Sequence, residues 1–237
     1  MVKICAHRGN WREAPENTLP AIQSAIDLGV DMIEIDVHRT KDGHVVVSHD
    51  HDLFRIFGTH GIIKDLTLAE VQTFRDKFLG LPVPQLYEVL DIIKKSNVIL
   101  NIELKAAEIE SKCLEMVKER QMGHQIVYSS FMAPPLMRLK EYDPNAVVCS
   151  LSGQFPPEKF EIYLNAAKMV GAAYMNMHYA TLNPETFQKV SELGFKIMAW
   201  TVDAPKDIQR LIDLGVDTII TNEPARLQKM LKTKKRS

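Results

Sequence analysis

Residues 28–37 read LGVDMIEIDV, and residues 214–224 read LGVDTIITNEP. In each, a helically spaced apolar run ends on Leu-Gly, and a β-rich run begins two residues later. Gly29 and Gly215 can take the left-handed conformation that ends a helix and turns the chain, which residues with a Cβ resist. The repeated motif is therefore the joint between a helix and the next strand. Outward from it the same rhythm fills the chain. β-Rich runs stand at VKICAH (2–7), DMIEIDV (31–37), NVILNIEL (97–104), QIVYSS (125–130), AVVCSL (146–151), AAYMNM (172–177), FKIMAWTV (195–202) and DTIITN (217–222), eight in all. Between them lie helical spacings such as Leu19, Ile22, Ala25, Ile26 and Leu28, or Ile208, Leu211, Ile212 and Leu214. Strands that alternate with helices pair in parallel, and eight such units in 237 residues predict a closed (β/α)8 TIM barrel rather than an open sheet.

One stretch breaks the rhythm. Residues 50–84, from Asp50 to Pro84, are longer than an ordinary connection and carry glycine and proline punctuation. They predict a small insertion after the second βα unit that caps the barrel mouth. Residues 1–237 otherwise read as one barrel domain.

Composition narrows the functional classes. The chain is 46% apolar and 25% charged, with a net charge of −1, so it has material for a large core and no global field for nucleic acid. Any anion site must be local. Cys5, Cys113 and Cys149 are far apart and show no paired spacing, which argues against a disulfide framework and against structural zinc. No apolar run approaches the roughly 18 residues of a membrane span, and the N-terminus lacks a charged segment leading into an apolar one. A cytoplasmic protein with no transmembrane segment follows, although a chain whose leader had been removed would read the same. The basic tail KMLKTKKRS (229–237) reads as a solvated helix end. No feature sets an oligomeric state.

The polar residues on the strands are the exception to this pattern. Side chains alternate faces along a strand, so Glu34 and Asp36 share one face of DMIEIDV, and Glu103 and Lys105 share one face of NIELK. Three carboxylates thus meet at the carboxyl ends of two strands, the end where barrel enzymes build their sites. Buried like charges cost several kcal/mol each unless a cation neutralises them. Oxygen ligands of this kind suit a hard divalent ion, Mg²⁺ or Ca²⁺. The plainer alternative is that one of them faces solvent or pairs with Arg8 or Lys105.

His7 closes the first strand, and His49 closes HVVVSHD, a short extra strand after the turn KDG. Two histidines at strand ends beside carboxylates can serve as general acid and general base, and Arg8 and Lys105 supply donors for a bound phosphate. His38, His51, His60, His124 and His178 are by default surface or packed residues.

AHRG followed by PENT, then EIDV with TKDGHVVVSHD, then NIELK, WTVD and IITNEP closely resemble the signatures of the glycerophosphodiester phosphodiesterase family. The blocks stand in the family's order from residue 5 to about 224, nearly the whole chain. The resemblance implies a TIM barrel with a small insertion, a divalent metal, and hydrolysis of small glycerophosphodiesters to glycerol 3-phosphate and an alcohol. Carried over by position, it makes His7 and His49 the acid/base pair and Glu34, Asp36 and Glu103 the metal ligands. Arg8 and Lys105 then hold phosphate, and Trp200 packs against the glycerol portion, its alternative being a plain core tryptophan. Asn17 and Thr18 of PENT read as caps of the first helix, and Glu16 as a residue that orients the site. Phe131 and His178 are further candidates for lining it.

Departures lie near the insertion, where HDHDLFRIFG and VPQLYEVL replace family patterns, and they leave the head group open. A lysophospholipase D-like action on lipid phosphodiesters would need an exposed apolar patch there, for which Leu53, Phe54, Ile56 and Phe57 are the candidates. A non-catalytic phosphate-binding barrel is the other alternative, and the paired His7 and His49 argue against it.

Overall fold

The computed structural model describes residues 2–234. Nine strands form one sheet: β1 (Lys3–His7), β2 (Met32–Arg39), β3 (Val45–Val47), β4 (Ile99–Leu104), β5 (Ile126–Ser130), β6 (Val148–Ser152), β7 (Tyr174–His178), β8 (Lys196–Trp200) and β9 (Thr218–Thr221). All except β3 pair in parallel, and β1 bonds to both β9 and β2, which closes an eight-stranded barrel. Each of the eight β-rich runs is a barrel strand. β3, the short extra strand in HVVVSHD, hangs antiparallel on the end of β2, with Val37 opposite Val47 and Arg39 opposite Val45.

The helices are α1 (Leu19–Leu28), the single turns α2 (Phe54–Phe57) and α3 (Leu68–Val71), then α4 (Leu86–Ile93), α5 (Glu110–Glu119), α6 (Ala133–Tyr142), α7 (Phe160–Met169), α8 (Pro184–Glu192), α9 (Pro205–Leu214) and α10 (Pro224–Lys234). Gly29 and Gly215 end α1 and α9 at φ of 78° and 90°, the left-handed caps that the repeated Leu-Gly-Val-Asp requires. The basic tail continues α10 to Lys234, and its residues 235–237 lie outside the described residues. No helix among the described residues is long and apolar enough to cross a membrane.

Strand alternation sorts the core into two layers. Ile33, Ile35 and Val37 face outward and pack with Ile22, Leu90 and Leu100 in the shell between barrel and helices. Cys5, Met32, Val127, Cys149, Leu151, Met198 and Ile220 fill the barrel itself. All three cysteines are buried and free.

Residues 50–84 lie inside the second βα unit, between β2 and its helix α4, and not after that unit as the sequence suggests. Strand-to-helix connections leave the carboxyl end of a barrel, whereas helix-to-strand connections lie at the opposite end, so the insertion stands at the carboxyl end. The insertion has a small core of its own, with Leu53, Ile63, Val71 and Val83 packed on Val46 of β3. Of the four residues named for the apolar patch that a lipid-directed action would need, Leu53 is buried in that core, Ile56 and Phe57 are partly buried, and Phe54 is exposed, as are Phe78 and Leu79 farther along the insertion.

Candidate functional site

The alternation that sends Ile33, Ile35 and Val37 outward turns Glu34 and Asp36 into the barrel, and the β2–β4 register sets Asp36 beside Glu103. The three carboxylates are 3%, 1% and 7% exposed, and one oxygen from each lies within 4.8 Å of the others. Two cations partly balance them. Lys105 Nζ lies 2.7 Å from Glu103 Oε1 and 3.3 Å from Asp36 Oδ1, and Arg8 Nε lies 3.4 Å from Asp36 Oδ2. The Arg8 backbone N–H donates to Glu34 Oε2 at 3.0 Å, while the buried Glu34 Oε1 has no partner.

Burial pushes the Glu34 carboxyl well above its usual range, with Asp36 and Glu103 adding to the effect. Burial, then Asp36, pushes Glu103 up to about 7. Three acceptor-only groups, one with an orphaned oxygen, against two cations suit a hard divalent ion. Glu34, Asp36 and Glu103 can therefore hold one.

Asn17 does not cap α1. Thr18 alone does so, accepting from Ala21 N at 3.4 Å. Asn17 sits at φ 58°, which turns its amide inward: Nδ2 donates to Asp36 Oδ2 at 2.9 Å, and Oδ1 accepts from Asp36 N at 3.3 Å. Arg8 is also left-handed, at φ 57°, and its carbonyl accepts from Asn17 N at 2.9 Å, so the loop between them closes over the carboxylate-bearing end of β2. Gly9 at φ 81° lets that loop press on α1.

His7 is fixed at one ring nitrogen. Its Nδ1 lies 2.7 Å from Asn222 Oδ1, and Trp11 Nε1 donates to the same oxygen at 2.6 Å. Asn222 is itself oriented, because its Nδ2 and backbone N–H donate to the two Asp203 oxygens at 2.7 and 2.8 Å. The His7 Nδ1 must then carry the proton, leaving Nε2 to face the carboxylates, 3.9 Å from Glu34 Oε2. Burial, with Arg8 adding, lowers the His7 pKa to about 4, so the ring is neutral at pH 7.

His49 follows the same plan with a different partner, its Nδ1 lying 2.6 Å from Asp50 Oδ1. Burial lowers its pKa as well. His38 is a packed residue whose Nε2 donates to the His49 carbonyl at 3.1 Å.

Seven of the eight predicted residues, His7, Arg8, Glu34, His49, Glu103, Lys105 and Trp200, line one cavity of about 150 Å³ together with Phe131 and Asn176. The eighth, Asp36, sits among its charges. Trp200 donates from Nε1 to the Ser152 carbonyl at 3.1 Å, with the rings of Phe131 and His178 set against it edge to face at 5.3 and 5.6 Å. Glu16 reaches Arg8 at 2.8 Å.

Sequence reasoning passed over Trp11, Asp50, Asp203 and Asn222 as site residues. Asp50 beside His49 was the one local signal. Asn222 stands inside IITNEP, yet no spacing connects it to His7.

The model of the glycerophosphoryl diester phosphodiesterase family matches residues 7–226. A glycerophosphodiester phosphodiesterase of Caldanaerobacter subterraneus subsp. tengcongensis is 35% identical and is aligned over 94% of this chain and 95% of its own. The crystal structure of a glycerophosphodiester phosphodiesterase from Parabacteroides distasonis has a TM-score of 0.84 at 30% identity, with 98% of each chain covered. An Oleispira antarctica phosphodiesterase, solved with its product sn-glycerol-3-phosphate, has the same fold, with a TM-score of 0.86 at 24% identity over 97% of this chain and 96% of its own. Because the family match runs from His7 through nearly the whole barrel, the chain is an enzyme of the glycerophosphoryl diester phosphodiesterase family.

Proposed function

We propose that this enzyme hydrolyses small glycerophosphodiesters to glycerol 3-phosphate and an alcohol, with His7 and His49 as acid and base and a divalent cation, Mg²⁺ or Ca²⁺, held by Glu34, Asp36 and Glu103. The observation that carries the reading is the meeting of these groups in one cavity: two imidazoles, each engaged through Nδ1, beside three buried carboxylates with an orphaned oxygen.

A bound ion of this kind neutralises phosphate oxygens and makes phosphorus more electrophilic. Arg8 and Lys105 point donors at the remaining phosphate charge and are themselves held by Glu16, Asp36 and Glu103. One imidazole Nε2 accepts the proton of the attacking O–H as the new P–O bond forms. The other enters the step as imidazolium, its Nδ1–H held by its acceptor, and donates its Nε2 proton to the departing alkoxide as the old P–O bond breaks. Water as the nucleophile gives glycerol 3-phosphate directly, whereas the substrate's own glycerol hydroxyl gives a cyclic glycerophosphate that a second attack by water must open to glycerol 3-phosphate. The Trp200 and Phe131 rings give the cavity an apolar wall suited to the carbons of the glycerol unit. Three unpaired, buried cysteines suit a reducing, cytoplasmic setting.

Release of glycerol 3-phosphate from glycerophosphocholine and glycerophosphoethanolamine tests this, with Mg²⁺, with Ca²⁺ and with chelator, in the wild type and in His49→Ala. Cation-dependent release that His49→Ala loses is the expected result. No release with either ion, or undiminished release by His49→Ala, overturns it.

A further inference from the structure

Arg55 does not line the cavity. It projects from α2, a single turn of the insertion with no buried residue, and its side chain is about half exposed. Its guanidinium nevertheless forks onto two carboxylates. Nε donates to Asp50 Oδ2 at 2.5 Å, and the two terminal nitrogens donate to Glu16 Oε2 and Oε1 at 3.0 and 2.6 Å. Each carboxylate passes the contact inward. Asp50 accepts from the His49 ring at 2.6 Å through its other oxygen, and Glu16 accepts from Arg8 at 2.8 Å.

Isolated exposed ion pairs contribute little, because two mobile side chains must be held in one geometry. A planar guanidinium that satisfies two carboxylates at once is different, since its fixed fork orients both acceptors. The insertion does not need Arg55 for its own cohesion, because Leu53, Ile63, Val71 and Val83 supply its core. What Arg55 does hold is the pair of carboxylates behind His49 and Arg8.

We infer that Arg55 is a positioning residue that fixes His49 through Asp50 and Arg8 through Glu16, and so ties the geometry of the insertion to the acid/base and phosphate-binding groups. This rests on the roles proposed above for His49 and Arg8. The two arms have different kinetic consequences: the Asp50 arm sets proton transfer and therefore kcat, whereas the Glu16 arm sets phosphate binding and therefore KM.

The test is a double-mutant cycle with glycerophosphocholine and Mg²⁺. Asp50→Ala is expected to lower kcat by about tenfold, a fraction of what a complete acid or base contributes. Glu16→Ala is expected to raise KM, and Arg55→Met to do both. If Arg55 acts through Asp50, the Asp50→Ala/Arg55→Met variant has the kcat of Asp50→Ala alone. Arg55→Lys, which keeps charge without the fork, falls between wild type and Arg55→Met, and it replaces Arg55→Met in the cycle should thermal unfolding show that variant misfolded. Wild-type kcat and KM in the Arg55 variant, or losses that multiply in the double variant, overturn the inference.

A second readout needs no turnover. Nitrogen-15 shifts of the His49 ring report one Nδ1–H tautomer in the wild type and a tautomer mixture in the Arg55 variant, while an unchanged ring refutes the clamp. A wild-type chain inactive on glycerophosphodiesters would thus refute the proposed function and leave the clamp to be judged by this signal.

Discussion

His7 Nδ1 lies 2.7 Å from the side-chain oxygen of Asn222, a neutral amide locked in one orientation by Asp203. The other histidine of the cavity, His49, has a carboxylate in the equivalent place. Both rings are thereby held with Nε2 toward the cavity, but only one has an anion at its back. Both partners fix direction and tautomer and favour the imidazolium through the hydrogen bond, but only Asp50 does so as a carboxylate.

Asn222→Ala is expected to lower kcat by about 10- to 100-fold, the usual effect of removing a partner that orients an active-site imidazole. His7 is not among the three clustered carboxylates, so affinity for Mg²⁺ measured by titration calorimetry should stay near wild type. Equal losses in kcat and in cation affinity would show a general collapse of the site and refute a specific role for Asn222.

Most of the architecture was legible because parallel barrel strands are buried on both faces and read as short apolar runs between helices. Glu34, Asp36 and Glu103 were legible for the complementary reason, as charges at inward positions of such runs. Asn222 was not, since its contact with His7 spans 215 positions and arises only when β9 closes against β1. Asn17 was not legible as a site residue, since Asn and Thr before a helix both look like caps and only its left-handed backbone separates it from Thr18. The insertion's position inside its unit was not legible, since its own helical turns are too short to stand out in a period count.

Gly9→Ala is expected to destabilise the fold. A Cβ there would lie 2.8 Å from the Ala21 carbonyl carbon and 2.9 Å from its oxygen, on a backbone already at φ 81°. Left-handed strain and overpacking together amount to about 2–4 kcal/mol. For a chain of this size that lowers the thermal midpoint by roughly 5–15 °C. An unchanged midpoint would mean that the loop between Arg8 and Asn17 yields freely, against its hydrogen bond from Asn10 N to the Ala21 carbonyl at 2.8 Å.

Trp200→Ala removes the ring against which Phe131 and His178 are set. Losing an aromatic wall of this kind is expected to raise KM for glycerophosphocholine by about tenfold with a smaller change in kcat, and Trp200→Phe should recover most of the loss. A kcat-only effect would place the ring's contribution in the chemistry and not in binding.

The pH dependence of stability should depend on the cation. In the bare protein, burial raises the pKa of Glu34 and moves Glu103 from the usual 4.5 to about 7. Folded protein therefore keeps protons that the unfolded chain has released, so stability falls as pH rises from about 4.5 to about 7 and stays reduced above it. A divalent cation replaces those protons and removes the repulsion. Its stabilisation, about 2.7 kcal/mol at one hundred times Kd, should accordingly be full at pH 8 and small at pH 5. Thermal unfolding with and without chelator at the two pH values measures this, and a cation effect that does not vary with pH would refute it. Glu103→Gln separates repulsion from mere packing. Losing one buried charge should stabilise the cation-free protein at pH 8 while abolishing most of its response to added cation, and only a carboxylate serving as a cation ligand yields those opposite signs.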